Sequence, residues 1–249
     1  MIAIVSDLHS NIEATEVVLE DAAANGAEAI HCLGDVIGYG PNPREVLSRA
    51  RSFESVLMGN HEEGLLHFAE DFNQRARLAL EWTRDQLNDS SFDSDENYAF
   101  WELLDGLPKV ARTDDALFVH GSLRQETRDY VMPSDASDPV KMGEIFGAMD
   151  RKVCFFGHTH VPGVWVEGGH YLSPHDVDGL YRLTDERVLV NVGSVGQPRD
   201  GDSRASYVLF DGERVQFRRV KYDFETTMEK ILGIGRLDDM LGLRLKMGR

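Results

Sequence analysis

The sequence predicts an α/β fold whose strands end in a shared site, and three observations predict it. Between Met1 and Glu62 an apolar run, a polar loop and a helical pattern follow one another repeatedly; a helix-rich stretch comes next; the second half is rich in short strand-like runs. Successive β–loop–α units favour a mainly parallel sheet with its site at the carboxyl ends of the strands.

The first strand is Met1-Ile2-Ala3-Ile4-Val5, which runs straight into Ser6-Asp7. Ile12, Thr15, Val18, Leu19 and Ala22 then recur at helical spacing, with Ser10 and Glu13 placed as a capping box and Gly26 as the stop. A second strand over 29–33 leads into Gly34-Asp35, and Asn42-Pro43 reads as cap and first residue of a helix to Ala50. The third run, Ser55-Val56-Leu57-Met58, ends at Gly59-Asn60-His61. From about 64 to 106 the pattern is helical, one helix carrying Phe72 to Leu87 and another Tyr98 to Leu104, joined by an exposed Ser/Asp-rich loop over 88–97. Strands are expected at 115–120, 152–156, 163–167, 187–191, 205–210 and 214–220, interrupted by a helix from Pro139 to Met149 capped by Asp138. Between Tyr171 and Tyr181 a polar loop is expected, and the weak helical period after Tyr222 is broken by Gly233, Gly235 and Gly242. With no repeat or interdomain linker, 1–249 reads as a single domain in which about 64–106 forms a helical, lid-like segment.

Composition narrows the function. Hydrophobic residues at 42% and charged residues at 28% describe a chain with a sizeable core rather than a disordered one. Twenty-six basic against 43 acidic residues give a net charge of −17, so long nucleic acid is repelled. No run approaches the ~18 apolar residues of a membrane span. Cys32 and Cys154 each sit in an apolar run and read as reduced core thiols, which points to the cytoplasm.

The residues with chemistry stand at the strand ends: Asp7-Leu8-His9, Gly34-Asp35, Gly59-Asn60-His61-Glu62, His120-Gly121 and Gly157-His158-Thr159-His160. Residues two apart on extended backbone project to the same side, so Asp7 with His9, and His158 with His160, can reach one cavity. Imidazole and carboxylate suit Zn, Mn, Fe or Ni, and a site for two cations needs about seven or eight such donors. Singly, an Asp-x-His is a solvated loop pair and a Gly-Asp a turn; five such blocks, each where an apolar strand ends, point to one site.

These blocks, in this order from 7 to 160, resemble the calcineurin-like metallophosphoesterase superfamily, and most closely its compact bacterial and archaeal phosphodiesterase branch. The segments 34–41, 72–83, 120–122 and 191–199 extend the resemblance to about Tyr207. It implies a four-layer α-β-β-α sandwich of two mixed sheets. It also implies two divalent cations, Mn first, with Fe, Zn, Ni or Co accommodated: Asp7, His9 and His160 on one, Asn60, His120 and His158 on the other, Asp35 bridging. His61 would protonate the leaving group or orient the phosphate, and the nucleophile would be a bridging hydroxide. Glu62, where the family often has Asp, and the segment Asn191-Val192-Gly193, where it often has Pro, depart from the pattern without touching a ligand.

The expected activity is therefore metal-dependent hydrolysis of a small phosphodiester. The alternatives are a phosphomonoesterase acting on a nucleotide or phosphoprotein and, from another class, a non-catalytic protein-binding scaffold. Arg124 and Arg199 are candidates to clamp a phosphate oxygen, or surface arginines paired with acids. His31, His67, His170 and His175 fit no block and read as structural or exposed. The partner expected is a small phosphate ester, with a homo-oligomer compatible with the sequence and no membrane contact.

Overall fold

The computed structural model describes residues 1–67, 69 and 72–249. The described elements are, in chain order, β1 (Ile2–Val5), α1 (Ile12–Ala24), β2 (Ala29–Cys32), α2 (Pro43–Ala50), β3 (Ser55–Val56), α3 (Asn60–Leu66), α4 (Gln74–Leu87), α5 (Ser94–Asp105), β4 (Val110–Arg112) and β5 (Ala116–Val119). There follow α6 (Pro139–Gly147), β6 (Val153–Phe156), β7 (Gly163–Val166), β8 (His170–Leu172), β9 (Leu180–Arg182), β10 (Val188–Asn191), β11 (Ala205–Phe210), β12 (Arg214–Val220), α7 (Phe224–Gly233) and α8 (Asp239–Leu243).

The strands form two six-stranded mixed sheets, ordered β3-β2-β1-β11-β12-β9 and β4-β5-β6-β10-β7-β8. Each contains a run of three parallel strands: β3-β2-β1, which begins at the sheet edge and is followed by antiparallel β11, and β5-β6-β10, which lies between antiparallel β4 and β7. Alternation along each strand decides what each face meets. In β1, Ile4 turns inward to a core shared with Phe118, Phe155, Val190 and Phe210 of both sheets, while Ala3 and Val5 face outward against α1 and α2. The outer face of the second sheet, with Phe156, Trp165 and Leu189, is covered by Met142, Ile145 and Phe146 of α6. Helix, sheet, sheet, helix is thus the layer order, as expected. Cys32 and Cys154 are free and buried in different outer cores, where burial pushes both thiols up.

Several boundaries move for local reasons. Helix α1 is capped not by Ser10 but by Asn11, whose side chain accepts from Ala14 N, because Ser10 is turned into a left-handed conformation at φ 53°. The 88–97 loop is shorter than expected, since Asp93 accepts from Asp95 N and Glu96 N and starts α5 there. Short strands β4, β8 and β9 appear where no strand was expected, and the polar loop after Tyr171 lies between β8 and β9, in different sheets.

Of the 64–106 segment, residues 68, 70 and 71 lie outside the described residues. The rest is docked by Arg44, whose guanidinium donates to Gln86 O at 3.1 Å and Asn97 Oδ1 at 2.6 Å and pairs with Glu96. The tail also has a place: Ile231, Leu241 and Leu245 pack on Ala79 and Trp82 of α4, and the single hydroxyl proton of buried Thr227 lies between two acceptors, Glu13 Oε2 at 2.8 Å and Asn11 Oδ1 at 3.0 Å. Among the described residues no helix is long and apolar enough to cross a membrane.

Candidate metal centre

The parallel strands of both sheets deliver their following residues to one place. Asp7 and His9 follow β1, Asp35 follows β2, Asn60 and His61 open α3 after β3, His120 follows β5, and His158 and His160 follow β6. Asp7, His9, Asp35, His61, His120, His158 and His160 are all buried. The expectation of extended backbone fails here: Asp7, His9, Asp35, His158 and His160 all have positive φ, between 46° and 64°. Left-handed backbone is uncommon outside Gly, although Asn, Asp and His adopt it more readily than other residues, and it clusters where surrounding structure over-determines it. The tight turns aim side chains from consecutive positions into one cavity.

Two glycines permit the approach. A Cβ at Gly59 would collide with Asp35 Oδ1 and its backbone N, and one at Gly157 would collide with Ser6 and with Asp7 Oδ2. Glu62 closes the same corner, its Oε2 accepting from Asp35 N and Gly59 N, both at 2.9 Å, and its Oε1 from Ile37 N at 3.1 Å. The departure at this position therefore does touch a candidate ligand, through its main chain. Burial and the charge of Asp35 push the Glu62 carboxyl up to about 7.

Each carboxylate has one oxygen fixed and one facing the histidines. Asp7 Oδ2 accepts from His158 N at 3.0 Å, leaving Oδ1 3.1 Å from His160 Nε2. Asp35 Oδ1 accepts from His61 N at 2.9 Å, leaving Oδ2 3.5 Å from His120 Nε2 and 3.8 Å from His9 Nε2, between the two sets of imidazoles. Burial works against ionising either acid, yet His160 beside Asp7 and His120 with His61 beside Asp35 hold both below the usual carboxylate range.

The imidazole hydrogen bonds carry the decisive information. A backbone carbonyl can only accept, so a neutral histidine that contacts one through Nδ1 bears its proton there and presents a lone pair at Nε2. His9 Nδ1 meets Ile37 O at 3.2 Å, His120 Nδ1 meets Leu33 O at 3.0 Å, and His160 Nδ1 meets Gln197 O at 2.5 Å. The freed Nε2 atoms of His9 and His160 then face each other at 3.1 Å beside Asp7 Oδ1. His120 Nε2 faces Asn60 Oδ1 at 3.0 Å and His158 Nδ1 at 3.1 Å, while His158 Nε2 has no hydrogen-bond partner. Ring nitrogens and oxygens packed this closely need a proton or a cation among them. Burial opposes a charge on His120 but Asp35 favours a proton there in the metal-free protein, and the buried imidazole, carboxylate and amide donors fit metal ions. Three overlapping groups bring their ligand atoms within 4.8 Å: Asp7–His9–His160, His9–Asp35–His61 and Asp35–His120–His158.

Residues 1–214 match the calcineurin-like phosphoesterase superfamily domain. The chain belongs to that superfamily. It is 36% identical to an uncharacterized protein of Methanocaldococcus jannaschii, over 100% of this chain and 98% of that one. Among solved structures it resembles a metallophosphoesterase from Sphaerobacter thermophilus, with 34% identity, a TM-score of 0.83 and coverage of 100% and 99%. A hypothetical protein from Pyrococcus horikoshii shares the fold at 18% identity and a TM-score of 0.76, with coverage of 100% and 98%. This phosphoesterase chain thus has the buried His/Asp clusters suited to metal binding in a metal-dependent hydrolase.

The two candidate arginines part company. Arg199 is half-buried beside the centre, its Nη2 donating to Gln197 Oε1 at 2.8 Å and its guanidinium 5.8 Å from the Tyr39 ring. Arg124 is exposed and paired with Glu144 at 2.8 Å; the arginine lining the cavity above the centre is Arg128, itself paired with Glu63 at 2.8 Å. His31 is structural, stacked on Phe118 and bonded to Ser55, and His67, His170 and His175 are exposed.

Sequence reasoning missed three residue types. Asn191 stands in the sequence as one polar residue among several in its loop, but its amide donates to Gly157 O and Thr159 Oγ1, holding the loop that carries His158 and His160. Tyr39, Phe72 and Tyr130 line the cavity, and no spacing rule singles out one aromatic per loop. Arg244, in the tail, is lowered to about 10 by burial and by Arg199, while Tyr39 opposes the shift; only the fold reveals that neighbourhood.

Proposed function

We propose that this protein hydrolyses a small phosphodiester with two divalent cations, Asp7, His9 and His160 holding one, Asn60, His120 and His158 the other, and Asp35 joining them. The observation that carries this reading is the pair of converging donor sets, with Asp35 Oδ2 between them. Bound, the cations neutralise phosphate charge and acidify water. Mn is our first choice: the set is nitrogen and oxygen without sulfur, which also accommodates Fe, Zn, Ni or Co.

The protein's own residues do the rest. The backbone carbonyls of Ile37, Leu33 and Gln197 accept from Nδ1 of three imidazoles and so turn each Nε2 toward the centre, where it would hold a cation once free of a proton. His61, lowered to about 4 chiefly by burial, is neutral at pH 7 and acts as a hydrogen-bond donor that orients the phosphate. Arg199 is the clamp for a phosphate oxygen; Arg124 we leave in its surface pairing with Glu144. A diester brings one negative charge, which suits a cavity whose lining arginine, Arg128, already shares its charge with Glu63. The second reading is a phosphomonoesterase acting on a nucleotide or phosphoprotein, whose dianionic substrate would call on the Arg199 guanidinium as well as the cations. A scaffold role finds no support in a donor set without a gap. We treat the chain as one unit with 64–106 as a cavity wall, and place it in the cytoplasm, where its two buried thiols stay reduced.

The test is turnover by metal-loaded protein of bis(p-nitrophenyl) phosphate, p-nitrophenyl phosphate and an oligonucleotide at several salt concentrations. The diester should show the highest kcat/KM. A faster monoester would move the assignment to the phosphatase, and efficient, salt-sensitive oligonucleotide cleavage would overturn the argument from a net charge of −17.

A further inference from the structure

A cavity of about 310 Å³ opens beside Asn60 and His158, and three aromatic rings line it from three separate segments. Tyr130, in the loop between β5 and α6, lies against the His158 ring at 3.9 Å yet is 51% exposed. Tyr39, after β2, and Phe72, just before α4, flank His61 at 4.5 Å and 5.2 Å. The rings thus stand on both the His158 and the His61 sides of the centre, next to the groups that would hold a phosphate.

The polar members of the wall are amides more than charges. Asn73 uses its Oδ1 to cap Ala76 N at 3.0 Å, leaving its NH2 group, and the exposed Gln125 side chain has no hydrogen-bond partner among the described residues. The cationic member, Arg128, is paired with Glu63. A flat π-surface with an edge of donors and acceptors matches these walls, since aromatic rings stack on any base and amides bond its edge. An alkyl chain would leave the amides unused, and a polyanion would find little charge. The volume reaches the lower end of the ~300–1,000 Å³ usual for small-ligand sites.

We propose that this cavity is a subsite for a nucleobase on the substrate, so that the preferred ester is that of a nucleoside, with Tyr130 as its principal stacking partner. This rests on the phosphoesterase reading of the adjoining centre.

The test is competition against diester turnover, and direct calorimetric binding to the metal-loaded full chain, with two probes that differ only in the base: adenosine monophosphate and ribose phosphate. Adenosine monophosphate should bind at least about tenfold more tightly, the scale of one stacked base. Tyr130→Ala should bring the two within about threefold, and Tyr130→Phe should restore the gap, because stacking needs the ring and not the hydroxyl. Phe72→Ala should narrow it in part. Equal affinities in the unaltered protein would overturn the subsite even if diester hydrolysis is brisk. A persistent preference for the base without turnover of any ester would retain the subsite and defeat the hydrolase reading instead. A gap that survives Tyr130→Ala and Phe72→Ala together would remove the base from this cavity.

Discussion

The floor of the cavity and its wall are built by opposite means. On the floor, Asp7 and His120 are wholly buried, Asp35 and His160 are 2% exposed, and five of the donors sit on left-handed backbone. On the wall, Tyr130 is half-exposed, Asn73 and Gln125 are exposed, and the segments come from a helix start and from loops. The floor is held by hydrogen bonds to the main chain, from backbone carbonyls and from the buried side chains of Glu62 and Asn191. The wall consists of side chains free to differ among proteins sharing this floor. Chemistry is fixed by the first and selectivity by the second.

The largest effect should come from the floor. Asp35→Asn removes the one charge that faces both imidazole sets, so metal content and turnover should fall together, activity on the order of 10³-fold. Tightly bound cations at wild-type content with normal turnover would break the distinction at its centre. Next is His61→Ala, expected to keep metal content and lose on the order of 10²-fold in kcat. Because burial keeps His61 neutral, the loss should be equal for p-nitrophenyl and poorer leaving groups; a loss that shrinks with better leaving groups would make it a proton donor.

Proton competition is a subtler property of the floor. Burial works against a charge on His120, but Asp35 pushes its pKa up to about 9 in the metal-free protein. Below that pH a cation must expel the proton, so apparent metal affinity should weaken about tenfold for each unit the pH falls and level off above about 9. Calorimetric titration at several pH values checks this, and flat affinity across the range would show that His120 carries no proton to lose. Smallest of all, Tyr130→Ala should alter discrimination between the nucleotide and sugar phosphate about tenfold with metal content untouched. Loss of metal in that variant would mean the wall holds up the floor through His158.

The same contrast explains what was legible in the sequence. Asp7, His9, Asp35, Asn60, His120, His158 and His160 announce themselves because each stands where an apolar run stops, and a fold with converging strand ends brings all seven together. Their conformation did not announce itself: a left-handed Asp7 or His9 leaves no trace in residue type, and extended backbone was the wrong default. Edge strands β4, β8 and β9 were hidden because three residues, half of them facing solvent, carry no period to read. The aromatics of the wall, the carbonyl of Gln197 behind His160, and Thr227 beneath Asn11 all act across long sequence separations.

The pairing of β1 with β11 sets the order in which this molecule can assemble. Ile2 lies opposite Phe210 and Ile4 opposite Val208, so the strand that leads to Asp7 and His9 gains its second neighbour from a segment made much later in the chain. Pairings this distant in sequence are the kind that slow folding, because the loop must close before its contacts reward it. During synthesis the emerging chain holds all seven donors well before β11 exists to fix the first two. A cation present at that stage meets a loose set of imidazoles and carboxylates rather than a finished site. Stable metal loading should therefore follow the arrival of β11, making the cations late reporters of a completed fold.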